Sequence, residues 1–390
     1  MRYSQFTRRI DGEGAAAWEL HWAALAAKRS GRDVIVLSVG DPDFDTPPSI
    51  QETAIASMRR GETHYADILG LPEAREAAAR RHSEDSGQQV QAANVAIVPG
   101  AQGGLFAAAM SLLDPGDEVL VPEPMYVTYE ATLQASGATL VRVPCRAERG
   151  FALDLADLEI AITPRSKAIF FANPNNPTGV VMDRALLEGI AQLARRHDLW
   201  VVADEVYQSL VFEGERCSIG ALAGMSERAV TLGSLSKSHA MTGWRFGWMI
   251  GPEELIRHVG HLGLCNLYGL PAFIQRAGIC GLQSQVPEVV AMRAAYLQRR
   301  DLAMQGLAQA PHVRCLRPSA GMFMLLDVRA SGLSGRDFAW RLFEQTGVSV
   351  LDATAFGVSA QGHLRMSFAI DEASLQEACR RIKAFAFSLG

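Results

Sequence analysis

At a rough prior of about 150 residues per domain, 390 residues allow two or three units with a sizeable buried core. A composition of 48% hydrophobic and 20% charged residues, with a formal net charge of -5, excludes the disordered and fibrous classes. The near-balanced charge also argues against a nucleic-acid partner, which calls for a concentrated basic surface.

The first 28 residues carry Arg2, Arg8 and Arg9 ahead of an alanine-rich stretch, an outline similar to a secretion signal. Asp11, Glu13, Glu19 and His21 interrupt it, so an amphipathic N-terminal helix is expected instead. No apolar run approaches the ~18 residues that cross a bilayer, so no membrane is expected. Short β-rich runs follow at 95–98, 118–121, 139–143, 168–172, 200–203, 229–232 and 246–250. Longer apolar-periodic segments such as 103–113 and 184–197 separate several of them. This alternation predicts an α/β fold, a mainly parallel sheet between helices, over about 47–285. Beyond it, a long helix at 288–309, strands at 322–327 and 363–368, and helices at 335–346 and 372–387 form a smaller α+β unit. No repeat or low-complexity linker separates the two, so they should pack closely around a cleft. The six cysteines are scattered, with no metal-ligand spacing, and read as reduced thiols of a cytoplasmic protein.

The loops after the strands carry the unusual residues, and ligands of open α/β sheets sit at those carboxyl ends. Pro99-Gly100-Ala101-Gln102-Gly103-Gly104 follows the first large-domain strand and opens a helix, so its free N–H groups would face an anion; glycine also serves ordinary turn geometry there. Asn173-Pro174-Asn175-Asn176-Pro177-Thr178-Gly179 is a stiff turn that could aim an amide. Asp204, at the end of the strand before Glu205-Val206-Tyr207, is either a helix N-cap or a charge at the floor of a site. Most informative is Ser234-Leu235-Ser236-Lys237-Ser238-His239-Ala240-Met241-Thr242-Gly243-Trp244-Arg245. It offers an amine able to bond a carbonyl carbon and cations for a phosphate, or else a solvated loop with two surface charges. A lysine amine is mostly protonated near neutral pH, so covalent work requires a depressed pKa or prior attachment.

Together with Gly40-Asp41-Pro42-Asp43-Phe44-Asp45-Thr46-Pro47 and His363-Leu364-Arg365-Met366-Ser367-Phe368-Ala369, these motifs stand in the order found in class I/II aminotransferases. The chain resembles that family, the aspartate aminotransferase superfamily of fold type I, along essentially its whole length. The resemblance implies an enzyme that uses pyridoxal 5'-phosphate to move an amino group from an L-amino acid to a 2-oxo acid. It also implies a large domain over 47–285 and a small one from 1–46 and 286–390. Lys237 would anchor the cofactor's aldehyde and then move the Cα proton, and Asp204 would pair with the ring nitrogen. Asn176 and Tyr207 would bond the phenolic oxygen, and Tyr126 would stack on the ring. Ala101 and Gln102 through their N–H groups, Ser234 and Arg245 would form the phosphate cup, although many relatives place a hydroxyl residue where this chain has Ala101 and Gln102. Tyr65 would reach the phosphate of a neighbouring subunit, making a homodimer with shared sites. Arg365, with Gly40 and Asn176, would grip the substrate α-carboxylate. Trp18, in the segment 17–21, would cover the substrate side chain, and Glu19 would meet a cationic substrate or simply solvent.

Within the family, the N-terminal Met-Arg-Tyr-Ser and the stretches 123–130 and 234–245 are most similar to members acting on arginine and pyruvate. A basic or neutral donor with pyruvate is therefore expected to outperform aspartate. The same cofactor chemistry also serves β-lyases and related non-transaminating enzymes, and the motifs alone leave that alternative open. A DNA-binding regulator built on this fold would need a reading domain before it, and the resemblance begins within the first residues.

Overall fold

A computed structural model describes residues 1–11, 18–283 and 286–390. Its strands begin with β1 (Ile35–Val36). Seven follow in mid-chain: β2 (Val95–Pro99), β3 (Glu118–Glu123), β4 (Thr139–Pro144), β5 (Ser166–Ala172), β6 (Trp200–Asp204), β7 (Ala229–Ser234) and β8 (Phe246–Ile250). Near the C terminus lie β9 (Arg314–Leu316), β10 (Phe323–Asp327), β11 (Val348–Ser349), β12 (Leu351–Asp352) and β13 (His363–Ser367).

The mid-chain strands form one sheet in the order β2-β8-β7-β6-β5-β3-β4. Its β3–β4, β3–β5, β5–β6 and β6–β7 pairs are parallel, while β8 runs antiparallel to both β7 and β2. Strands such as β7 are buried along their whole length, which is why they read as unbroken apolar runs: helices cover both faces. The helix Arg184–Arg196 buries Leu187, Ile190, Ala191, Leu193 and Ala194, one stripe at helical spacing. Asp183 caps it by accepting from the Leu186 N–H at 2.8 Å, a contact worth about 1 kcal/mol. The periodic segment 103–113 lies in a helix spanning Gly100–Leu112, whose first turn is the glycine-rich motif expected to open it. This helix lies close on the sheet: a Cβ at Gly104 would stand 2.6 Å from Leu232 Cδ2.

β2, β5, β6 and β7 share one direction, so their carboxyl ends lie along one edge. The reversal of β8 brings its start to the same edge, where Phe246 pairs with Pro99 and Gly247 with Ser234. A reversed strand thereby delivers Arg245 to the rim on which Gly100, Asn173 and Asp204 already sit.

The C-terminal third builds an antiparallel sheet, β12-β13-β10-β9, with Arg365 paired to both Leu325 and Leu351. The helices Pro287–Gly306, Gly335–Thr346 and Glu372–Phe387 match the expected positions within a few residues. One buried cluster joins Leu20, Ala24, Val34 and Leu37 to Phe338, Leu342, Ile382 and Phe385, and β1 pairs in parallel with β11. The N-terminal segment thus packs with the C-terminal third. The single expected N-terminal helix is replaced by two, Gln5–Arg9 and Glu19–Arg29. The first buries none of its residues; the second buries Leu20, His21 and Ala24. Ala17 of the 17–21 segment, Glu13 and the boundary at 285 lie outside the described residues. Among the described residues no helix is long and apolar enough to cross a membrane.

Candidate active site

The shared edge opens into a cavity of about 270 Å³ whose wall includes every predicted site residue except Tyr65 and Glu19. At its floor Asp204, 6% exposed, ends β6. It caps no α-helix. One carboxylate oxygen accepts from the Val206 N–H at 3.3 Å and the other from the Tyr129 hydroxyl at 3.2 Å. Burial pushes its carboxyl up to about 6, against the pull of these hydrogen bonds and of the Lys237 charge.

Lys237 follows β7 and donates from Nζ to the Gly40 carbonyl at 2.7 Å. Burial pushes its amine down to about 8; Asp41 pulls it up, while Arg365 and Arg245 push it further down. The amine is therefore free in an appreciable fraction near neutral pH, as carbonyl chemistry requires. That burial excludes the solvated reading of this loop for Lys237, while Arg245 is exposed.

The cup for an anion sits at the start of the helix Gly100–Leu112, whose first N–H groups have no partner within the helix. Arg245 adopts a left-handed backbone (φ 57°) and folds over it, with Nη1 donating to the Thr242 carbonyl at 2.7 Å. A Cβ at Gly100 would lie 2.4 Å from Arg245 Nη2, so glycine is required for this approach. Ser234 Oγ donates to the Phe246 carbonyl at 2.9 Å and accepts from the Ser236 N–H at 3.0 Å. The Gln102 side chain works behind the cup: it donates to Thr132 Oγ1 and accepts from Thr128 Oγ1, both at 2.8 Å, and so ties the helix to the segment after β3. That segment bears Tyr126, whose ring meets Tyr129 edge-on at 5.9 Å.

Arg365 is 4% exposed and has no carboxylate partner among the described residues. Nη2 donates to the Ser38 carbonyl at 2.8 Å and Nη1 reaches Asn176 Oδ1 at 3.4 Å, while Nε is buried without a partner. Burying an uncompensated guanidinium is costly, so the site is built for an anion. Asn176 is held by a loop in which Asn175 Nδ2 donates to the Pro124 carbonyl and Thr178 Oγ1 to Asn175 Oδ1. Tyr207 is 5% exposed and packs edge-on against Phe323. Gly40 meets no close neighbour that a Cβ would strike; its contribution is the carbonyl that holds Lys237. Trp18 lines the mouth, whereas Glu19 is paired with Arg336 on the surface at 2.7 Å and does not line the cavity.

Tyr65 lies apart, 86% exposed, its ring 5.0 Å from that of Tyr268. Sequence reading missed Asp41 and Ser236, which line the cavity, and Tyr129, which stands behind it. All three sit inside motifs already singled out, Tyr129 in the stretch 123–130, but nothing in that stretch ties its hydroxyl to Asp204.

A cavity with a buried carboxylate at its floor, a partly deprotonated lysine, an arginine-covered helix start and an unpaired buried arginine fits pyridoxal 5'-phosphate and an amino-acid carboxylate. The comparisons agree. The family described as Aminotransferase class I and II matches residues 32–382. The chain is 51% identical over 389 residues to the arginine–pyruvate transaminase AruH of Pseudomonas aeruginosa, covering 100% of this chain and 99% of that protein. It is 37% identical to an aspartate/prephenate aminotransferase of Thermus thermophilus, over 92% of each. Among solved structures, the Thermus thermophilus aspartate aminotransferase with maleate superposes at a TM-score of 0.94 with 35% identity, covering 98% of this chain and 100% of that one. The aspartate aminotransferase of Rhizobium meliloti also superposes at 0.94, with 30% identity and 99% of each chain covered. With its fold, its cavity and its relatives in agreement, this chain belongs to the class I and II aminotransferases and is a pyridoxal-phosphate-dependent transaminase.

Proposed function

We propose that the enzyme takes its amino group from arginine or another basic or neutral L-amino acid and passes it to pyruvate. The observation that carries this reading is the charge inventory of the cavity. Its wall holds three cations, Lys237, Arg245 and Arg365, and two carboxylates, Asp204 and Asp41. Arg245 serves the cofactor phosphate, Arg365 the substrate α-carboxylate and Lys237 the cofactor aldehyde. Asp204 serves the ring nitrogen. Among the described residues no cation of the wall is left for the second carboxylate of aspartate or 2-oxoglutarate, whereas Asp41 forms no hydrogen bond or ion pair and stays free to face a positive side chain. The 51% identity to an arginine–pyruvate transaminase supports the same substrate class.

When bound, pyridoxal 5'-phosphate supplies the aldehyde that receives the amino group and the ring that draws electrons from Cα. Asp204 would hold the proton of the ring nitrogen, and Asn176 and Tyr207 would hydrogen-bond the phenolic oxygen. Ala101 and Gln102 through their N–H groups, with Ser234 and Arg245, hold the phosphate. Arg365, with Gly40 and Asn176 beside it, orients the substrate by its α-carboxylate. Lys237 Nζ would take the Cα proton. Tyr126 closes the ring face, and Trp18 covers the side chain at the mouth and keeps water out.

The same reading makes the enzyme a homodimer. An apolar cleft of about 400 Å³, lined among others by Ile68, Leu69, Val98, Phe106, Leu262 and Leu267, adjoins the cavity at Gln102 and Arg245. Exposed Tyr65 and Tyr268 flank it, which suits a second copy reaching the phosphate through Tyr65. Two domains, 47–285 and 1–46 with 286–390, accord with the separate sheets. The absence of a disulfide among the described cysteines accords with a reducing cytoplasm. A donor panel with pyruvate or 2-oxoglutarate tests the substrate reading: arginine or neutral donors with pyruvate should exceed aspartate with 2-oxoglutarate in kcat/KM, and the reverse ranking would overturn it.

A further inference from the structure

Tyr129 is 1% exposed and begins the helix Tyr129–Gln134. Its hydroxyl makes one side-chain hydrogen bond among the described residues, to Asp204 Oδ2 at 3.2 Å. A phenylalanine would fill the same volume without burying a hydroxyl, and a buried hydroxyl is unfavourable unless it is used. The Asp204 backbone is locked in β6, where its carbonyl accepts from the Asn173 N–H at 2.9 Å. Among the described residues two hydrogen bonds orient its carboxylate, one from the Val206 N–H and one from Tyr129. Tyr129 is itself placed by the Gln102 clamp on Thr128 and Thr132, so the helix that forms the anion cup also sets the donor behind the cavity floor.

We propose that Tyr129 is a positioning residue, whose phenolic O–H holds Asp204 in the orientation and ionised state that the cofactor's ring nitrogen requires. The inference rests on the role given to Asp204 above. Burial alone drives the Asp204 carboxyl towards its neutral form, and the Tyr129 hydrogen bond opposes this. Other titratable groups face it too: the Lys237 amine, the neighbouring Glu205 carboxyl and the Tyr126 and Tyr207 phenols. Any pH effect must therefore be traced to Asp204 by a double-mutant cycle.

Cofactor affinity is measured by titrating apo-protein from about pH 5 to pH 9, for wild type, Tyr129→Phe, Asp204→Asn and the double variant. Tyr129→Phe is expected to weaken binding about tenfold to a hundredfold. It should also move the acid limb of the affinity profile to higher pH, and cost less than about twofold in the Asp204→Asn background. Unchanged affinity across the range, or equal losses with and without Asp204, as pure packing gives, would overturn the proposal. If Asp204→Asn itself binds as wild type, the role of Asp204 falls instead. Should Tyr129→Phe lose its cooperative apo melting transition, 3-fluorotyrosine at position 129 keeps the shape and is a stronger donor. The acid limb should then move to lower pH, and a stationary limb would count against the proposal.

Discussion

Lys237 carries two tests. Its amine is pushed down to about 8, so apo-protein should capture the cofactor slowly at about pH 6 and faster as pH rises through 8, following the free-amine fraction. Stopped-flow absorbance reads this directly. Lys237→Ala should abolish turnover and, after borohydride treatment, leave the protein mass unchanged where wild type gains the cofactor; a gain at another residue would refute the assignment. Arg365→Lys keeps the charge but loses the planar pair of donors now split between Ser38 and Asn176. KM for the amino donor should rise about tenfold to a hundredfold, with kcat changed less, in steady-state kinetics.

At the scale of elements, the decisive contact is the helix Gly100–Leu112 against the start of β8. Gly100 has φ 70°, and a side chain there would collide with Arg245. Gly100→Ala should therefore lower apo-protein stability by about 1 kcal/mol or more through the backbone alone. It should also weaken the cofactor by displacing Arg245, and free pyridoxal, which lacks the phosphate, should lose less affinity than pyridoxal 5'-phosphate. Equal losses for both would place the damage outside the anion cup. The helix's position was legible from the glycine-rich motif, but its start was not. Apolar periodicity begins only at Gly103, and glycine disfavours helices; packing against the sheet overrides that propensity.

At the scale of the molecule, Tyr65 is the predicted cofactor-binding residue that lies away from its own chain's cavity. If the site is shared, Tyr65→Ala and Lys237→Ala proteins, each impaired alone, should recover activity after subunit exchange. One heterodimer site then holds an intact Lys237 from one protomer and an intact Tyr65 from its partner. Activity no higher than the sum of the two separate samples would argue that each chain works alone.

The local chemistry was readable without coordinates because it rests on short-range rules. Apolar periodicity marks buried strands and helix stripes, and stiff loops after strands mark ligand sites. Lys237, Asp204, Asn176 and Arg245 each lay in such a motif, whereas Arg365, within a strand, was marked only by the resemblance to the family. What the linear chain does not carry is juxtaposition. Tyr129 looks like any core aromatic until the fold sets its hydroxyl 3.2 Å from a carboxylate 75 positions away. Glu19 looks available to a substrate until Arg336, 317 residues on, pairs with it. The sequence by itself determined the α/β layering, the family and the residues able to do the chemistry. The tertiary structure decided their charge states and partners, because burial and hydrogen bonding across distant segments set the pKa of Lys237 and Asp204 and left Arg365 without a counter-ion.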